Sequence, residues 1–322
     1  MTAHPQTGRP ARIVFVAANP SIDRLYEVDR LTVGDIHRPD RALAVAGGKG
    51  LNAARVALAL GASVTTVGIV GGRAGDWIVE RLAAIGLDAR MARSAAETRT
   101  CVSILDRSSG SLTEVYERGE RLEPTAWEAL EAILTLELDR GDVAVVALSG
   151  SLPPGAPPDG HGRLARIAAA QSVRILADTY GSSLAAVLGE HPEAVKVNAA
   201  EAAETTGIAV VDPASAAAAG RVLRERGATN AIVTLGAGGA VAVSATDATN
   251  LVLPGVRGLY PVGSGDAFLA GLAVGLTGGM ALLEAARLGV AAGTANAELP
   301  GPGELDPATV ARHRAEVTLA AL

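Results

Sequence analysis

The chain has 322 residues, of which 49% are hydrophobic, enough for a large core built as one domain with an appendage or as two domains. A net charge of -6 argues against a generic nucleic-acid binder, and a single cysteine, Cys101, rules out an intramolecular disulfide or a cysteine metal cluster. No apolar run reaches membrane-spanning length without a charge or a glycine break, and the N-terminus lacks a signal-peptide pattern, so a cytoplasmic protein without membrane partners is expected.

In chain order, residues 12–18 (RIVFVAA) read as a buried first strand. Asn19-Pro20-Ser21-Ile22-Asp23 follows at once, where a parallel sheet carries its ligand contacts. Asp23 there suits sugar hydroxyls or, equally, an Asx-turn. Ala46-Gly47-Gly48-Lys49-Gly50-Leu51-Asn52 is a glycine-rich turn opening a helix over 50–60, in which backbone approaches a ligand and Lys49 and Asn52 add charge and hydrogen bonds. It lacks the Ser or Thr that a Walker A loop needs after Gly-Lys, and the chain lacks the G-x-G-x-x-G dinucleotide fingerprint, which counts against a dehydrogenase.

A strand over 64–70, a helix over 76–84, a strand over 143–148, a helix over 162–170 and strands over 173–177 and 194–197 continue the alternation. Helices over 199–206 and 213–226, strands over 231–235 and 240–244, and a last helix over 307–319 complete it. Such alternation implies an α/β fold with a mostly parallel sheet covered on both faces. The polar-alternating segments 24–46 and 99–117 have no helix between their strands; they form either a small separate sheet over the ligand crevice or ordinary edge hairpins.

Asn198-Ala199-Ala200-Glu201 follows a strand containing Lys196. Glu201 either holds Mg²⁺ through water or closes a capping box with Asn198. Thr234-Leu235-Gly236-Ala237-Gly238-Gly239 either cradles nucleotide phosphates or makes a hairpin. Lys49 and Lys196 are the only lysines beside 26 arginines, and a point charge retained against that bias hints at a site a guanidinium cannot fill.

The most informative stretch is Val262-Gly263-Ser264-Gly265-Asp266, a small-residue turn before a helix with Phe268, Leu269, Leu272, Ala273 and Leu276 at helical spacing. Either Asp266 caps that helix, or it removes a proton from a hydroxyl while the helix N-terminal amides hold the phosphoryl group under attack.

Together these motifs resemble the ribokinase-like PfkB carbohydrate kinases, from near the first residues to the last helix. The resemblance rests on Gly-Gly-Lys-Gly-Leu-Asn followed by Ala-Ala-Arg-Val, on Ser149-Gly150-Ser151-Leu152-Pro153-Pro154-Gly155, and on Gly263-Ser264-Gly265-Asp266. It is strongest with the 1-phosphofructokinase and tagatose-6-phosphate kinase branch. It implies a single domain over 1–322, three-layered α/β/α, with a discontinuous lid formed by about 24–46 and 99–117. It also implies ATP and Mg²⁺, a phosphorylated ketose such as fructose 1-phosphate, fructose 6-phosphate or tagatose 6-phosphate, and a homodimer through the lid. By resemblance Asp266 is the base and Gly263, Ser264 and Gly265 complete the anion hole. Asn19, Asp23, Gly47, Gly48, Lys49 and Asn52 line the sugar site, and Arg99 takes the substrate's phosphate. Lys196, Asn198, Thr234, Gly236 and Gly239 face the nucleotide, and Glu201 the metal. Tyr260, Val197 and Arg118-Gly119 depart from the family pattern, which bears on the sugar and on any monovalent-cation site. The alternatives are a kinase of an unphosphorylated sugar or nucleoside and a non-catalytic sugar-phosphate-binding regulator.

Overall fold

The computed structural model describes residues 11–322; residues 1–10 of the N-terminal stretch read for a signal peptide lie outside it. In chain order come β1 (Arg12–Ala17), β2 (Ser21–Val28), β3 (Arg41–Gly47), α1 (Lys49–Ala59), β4 (Ser63–Gly71), α2 (Gly72–Ala84) and β5 (Asp88–Ser94). Next are β6 (Arg99–Asp106), β7 (Ser111–Tyr116), α3 (Pro124–Leu138), β8 (Val143–Ser149), α4 (Gly160–Ala170), β9 (Arg174–Asp178), α5 (Gly181–Leu188) and β10 (Ala194–Asn198). The remainder are α6 (Ala199–Thr206), α7 (Pro213–Glu225), β11 (Asn230–Thr234), β12 (Ala240–Val243), β13 (Ala248–Val252), α8 (Ser264–Thr277), α9 (Leu282–Glu298), α10 (Pro307–Glu316) and β14 (Thr318–Ala321).

The larger sheet runs β14-β13-β12-β11-β10-β9-β8-β1-β4-β5, parallel from β11 to β5 and antiparallel from β11 to β14. Residues of β1 alternate between its two faces, as strand geometry demands. Ile13 and Phe15 join a core with Leu51, Ile78, Phe268 and Val310, whereas Val14 and Val16 join one with Trp127, Leu164, Leu184 and Ala216. Helices α1, α2, α8, α9 and α10 therefore cover one face and α3 to α7 the other, giving three layers. Small residues let α8 and α9 approach closely. A Cβ on Gly271 would lie 2.8 Å from the Leu288 carbonyl oxygen, and one on Gly293 would lie 2.9 Å from that of Ser264.

The second sheet has the order β3-β2-β6-β7, with β2 and β6 parallel and both outer pairs antiparallel. The expected segments 24–46 and 99–117 supply most of it, but β2 begins at Ser21, so Asp23 sits inside a strand rather than in a turn. Six further elements add to those expected from the sequence: β5, α3, α5, β13, α9 and β14. The last helix also stops at Glu316 rather than 319, because Thr318–Ala321 pairs antiparallel with β13. Edge pairing there overrides the helical propensity of Leu and Ala.

Candidate active site

The carboxyl ends of the main strands, the N-termini of α1, α6 and α8, and one face of the small sheet enclose a cavity of about 1200 Å³. Of the residues expected in the catalytic, sugar, nucleotide or metal site, all but Gly47 line it. Gly47 instead makes room for a neighbour, since a Cβ there would fall 2.2 Å from Cγ of Asp23. Asp23 accepts hydrogen bonds from Ser21 Oγ at 2.5 Å and from the Gly48 amide at 3.1 Å. Burial raises its carboxyl above the usual range.

Gly263 is the N-cap of α8, with φ of 83°, and a Cβ there would lie 2.8 Å from Pro302. Left-handed backbone and close approach both demand glycine. No side chain caps this helix, so the capping role open to Asp266 is not the one it takes. Its buried Oδ2 accepts a hydrogen bond from Asn52 Nδ2 at 3.0 Å. Burial drives this carboxyl up to about 7, helped by the nearby Asp178 charge and opposed by Lys49, the Asn52 hydrogen bond and Lys196. The first-turn amides around it are donors that a helix leaves unsatisfied. Asn296, fully buried, ties the turn down: its Nδ2 donates to the Val262 carbonyl at 2.9 Å and its Oδ1 accepts from the Gly303 amide at 2.8 Å.

Both lysines converge on one carboxylate. Lys49 Nζ lies 2.9 Å from Asp178 Oδ1 and Lys196 Nζ 2.5 Å from Oδ2, and Asp178 is wholly buried. Burial alone would raise Asp178; the two ammonium groups override it and hold the carboxyl below the usual range. Burial works against Lys49 too, but Asp178, Asp266 and Glu201 push it well above the ordinary lysine value. A Cβ on Gly265 would fall 2.9 Å from Lys196 Nζ, so that ammonium borders the first turn of α8. Asp178 was not singled out in the sequence. The expected strand stopped at 177, and the available signal was a carboxylate at a strand's carboxyl end.

Asn198 and Glu201 do form the capping box: Glu201 N donates to Asn198 Oδ1 at 2.9 Å and Asn198 N to Glu201 Oε2 at 2.8 Å. Glu201 Oε1 is left facing Lys49 Nζ at 3.7 Å. Thr234 stands beside Asn198 in register, and Gly236 and Gly239, at φ of 58° and 83°, turn the β11–β12 hairpin along the cavity wall. The capping and hairpin readings thus hold at both places without removing either from the cavity. On the small sheet Arg99 donates to the carbonyls of Glu117 at 3.1 Å and Asn19 at 3.2 Å. Both acceptors are neutral carbonyls, and the guanidinium also acts on the Asp23 carboxyl, which it pulls down against the effect of burial. Asn19 Nδ2 donates to Ser151 Oγ at 3.1 Å. Ser149, Ser151, Cys101, Glu114 and Tyr116 also line the cavity, although no sequence pattern assigned them a role. Among the described residues no helix is long and apolar enough to cross a membrane.

Known proteins share both sequence and fold with this chain. The chain is 34% identical over 280 residues to a 1-phosphofructokinase of Rhodobacter capsulatus, covering 87% of this chain and 88% of that one. It is 32% identical over 269 residues to a tagatose-6-phosphate kinase of Staphylococcus epidermidis, covering 82% and 85%. The crystal structure of phosphofructokinase-2 from Escherichia coli in complex with fructose-6-phosphate superposes with a TM-score of 0.84 at 26% identity, covering 95% of this chain and 98% of that one. A family description, pfkB family carbohydrate kinase, matches residues 16–309. With the glycine turn, the buried carboxylate and the lysine pair in one cavity of a ribokinase-like fold, the chain belongs to the pfkB family of carbohydrate kinases.

Proposed function

We propose that the protein transfers the γ-phosphoryl group of ATP to a hydroxyl of a small phosphorylated ketose, with Asp266 as general base. The observation that carries this reading is the placement of Asp266. It is a buried carboxylate lining the cavity at a helix N-terminus, near two ammonium groups, and burial raises it to about 7. The sugar oxygen attacks phosphorus in line, its proton passes to Asp266, and the bond from phosphorus to the bridging oxygen of ADP breaks. The first-turn amides of α8 and Lys196 stabilise the phosphoryl charge. Asn19, Asp23, Gly48, Lys49 and Asn52 orient the sugar, and the turn at Gly236 and Gly239 with Asn198 and Thr234 receives the nucleotide. The small sheet acts as the lid that excludes water. ATP and the sugar phosphate are the partners expected, together with a second copy of the chain at the lid.

Mg²⁺ fits this donor set. Such ions take one or two carboxylates and complete their shell with waters and substrate phosphates. Glu201 has one oxygen outside its capping box, facing Lys49 Nζ at 3.7 Å, and would supply that carboxylate. Bound with the triphosphate, the ion would offset the charge developing during transfer.

Two predictions test the assignment. Arg99→Ala removes the one cavity guanidinium on the small sheet, so KM should rise at least tenfold for sugar phosphates and change little for free sugars. Equal effects on both would favour a kinase of unphosphorylated sugars. Asn52→Ala removes a hydrogen bond that favours the ionised form of Asp266, so the carboxyl should titrate above about 7. Since only the ionised form accepts a proton, the acid limb of the kcat/KM profile should move to higher pH. An unmoved limb would mean that Asp266 is not the group being titrated.

A further inference from the structure

The buried hydroxyl of Ser149 has no hydrogen-bond partner among the described residues. It is 3% exposed, ends β8, and lines the cavity. Buried side-chain oxygens are paired as a rule, and one that is not costs stability. The exception has an informative place. Ser149 lies beside Asp178 in the register of the parallel pair β8–β9, so the two side chains share a face of the sheet. The next residue, Gly150, at φ of 86°, packs against the stem of Lys49, with a notional Cβ 3.5 Å from Cβ of Lys49. Two residues on, Ser151 holds Asn19.

The surrounding chemistry is one-sided. The neighbouring ammonium groups only donate and already point at Asp178, whereas the ionised Asp178 carboxylate only accepts. A hydroxyl does both, and is the group suited to the hydroxyls of a sugar. We infer that Ser149 is a substrate-contacting residue, hydrogen-bonding a hydroxyl of the phosphoryl acceptor next to the one that Asp266 deprotonates. This rests on the sugar-kinase reading above.

The test is Ser149→Ala, assayed by coupled ADP release with a panel of sugar phosphates and by thermal unfolding. The expected result is a fall in kcat/KM for the sugar of about tenfold, the usual value of one hydrogen bond to bound substrate. KM for ATP should stay within about twofold. The Tm should be equal to or above that of the parent, because the variant no longer buries an unpaired hydroxyl. Sugar kinetics within twofold of the parent would overturn the inference, as would a loss of activity that tracks a loss of Tm or falls on KM for ATP. A parent chain that releases no ADP with any sugar or sugar phosphate would instead overturn the kinase reading.

Discussion

Asp266→Asn should lower turnover by about 10²–10⁴, the usual contribution of a positioned general base, while calorimetry finds ATP binding little changed. The substitution keeps the shape of the side chain and its contact with Asn52 but removes the proton acceptor. Its effect on stability should run the opposite way. The carboxyl titrates at about 7 in the fold against 3.8 in a free chain. The folded state therefore holds its proton more tightly, and that advantage is lost as pH rises through 7. At pH 8 the parent carries a buried charge that the amide does not, so the variant should melt no lower than the parent there. Below about pH 4 the parent is neutral as well, and any gain should vanish. Near-normal turnover in Asp266→Asn would sink the mechanism, whatever its melting behaviour.

The second large effect is expected at Asp178. Asp178→Asn leaves Lys196, whose side chain is 4% exposed, without its ion-pair partner. Breaking a buried pair from one side costs about 3–5 kcal/mol, which lowers the melting temperature by on the order of 10 °C. Lys49 suffers less, since Glu201 lies 3.7 Å away. Asp178 is held below its free value of 3.8 in the fold, so its contribution is present above that pH and fades as pH drops further. The gap in Tm between parent and variant should therefore close in acid. The kinetics should move as well. Asp178 raises the Asp266 carboxyl, so removing its charge should shift the acid limb of kcat/KM to lower pH, opposite to Asn52→Ala. A variant that melts with the parent would show that the lysines do not depend on this carboxylate.

The sequence displayed the alternation of strands and helices because branched apolar runs and capped helices carry distinct periods. It also displayed the glycine turns, because left-handed or crowded backbone leaves little other choice at Gly48 and Gly263. Helix α9 was hidden because alanine, glycine and valine surround it on nearly every side, leaving little polar contrast to mark a face. Helix α3 was legible, with Trp127, Leu130, Leu134 and Leu138 at helical spacing, yet it was not among the expected elements. Asp178 is a different case. Its importance comes from partners 129 and 18 residues away, and no local pattern records such a meeting. The same holds for Gly47, which looks like a ligand-approach glycine until the Asp23 side chain is seen in the space it leaves. Ser149 belongs to a recognisable motif, but only the register of β8 against β9 sets it beside Asp178.

The glycine-lined contact of α8 with α9 limits how these two helices can move relative to each other. Gly271, Gly275, Gly289 and Gly293 bring neighbouring atoms within 2.8–2.9 Å of where a side chain would begin, so α8 can neither slide nor roll on α9 without collision. Asn296 secures its first turn to the loop at Gly303. The helix carrying Asp266 is thus locked to its neighbour. If the small sheet closes over bound substrates, as proposed above, Arg99 would move toward the sugar while α8 and α9 keep their contact.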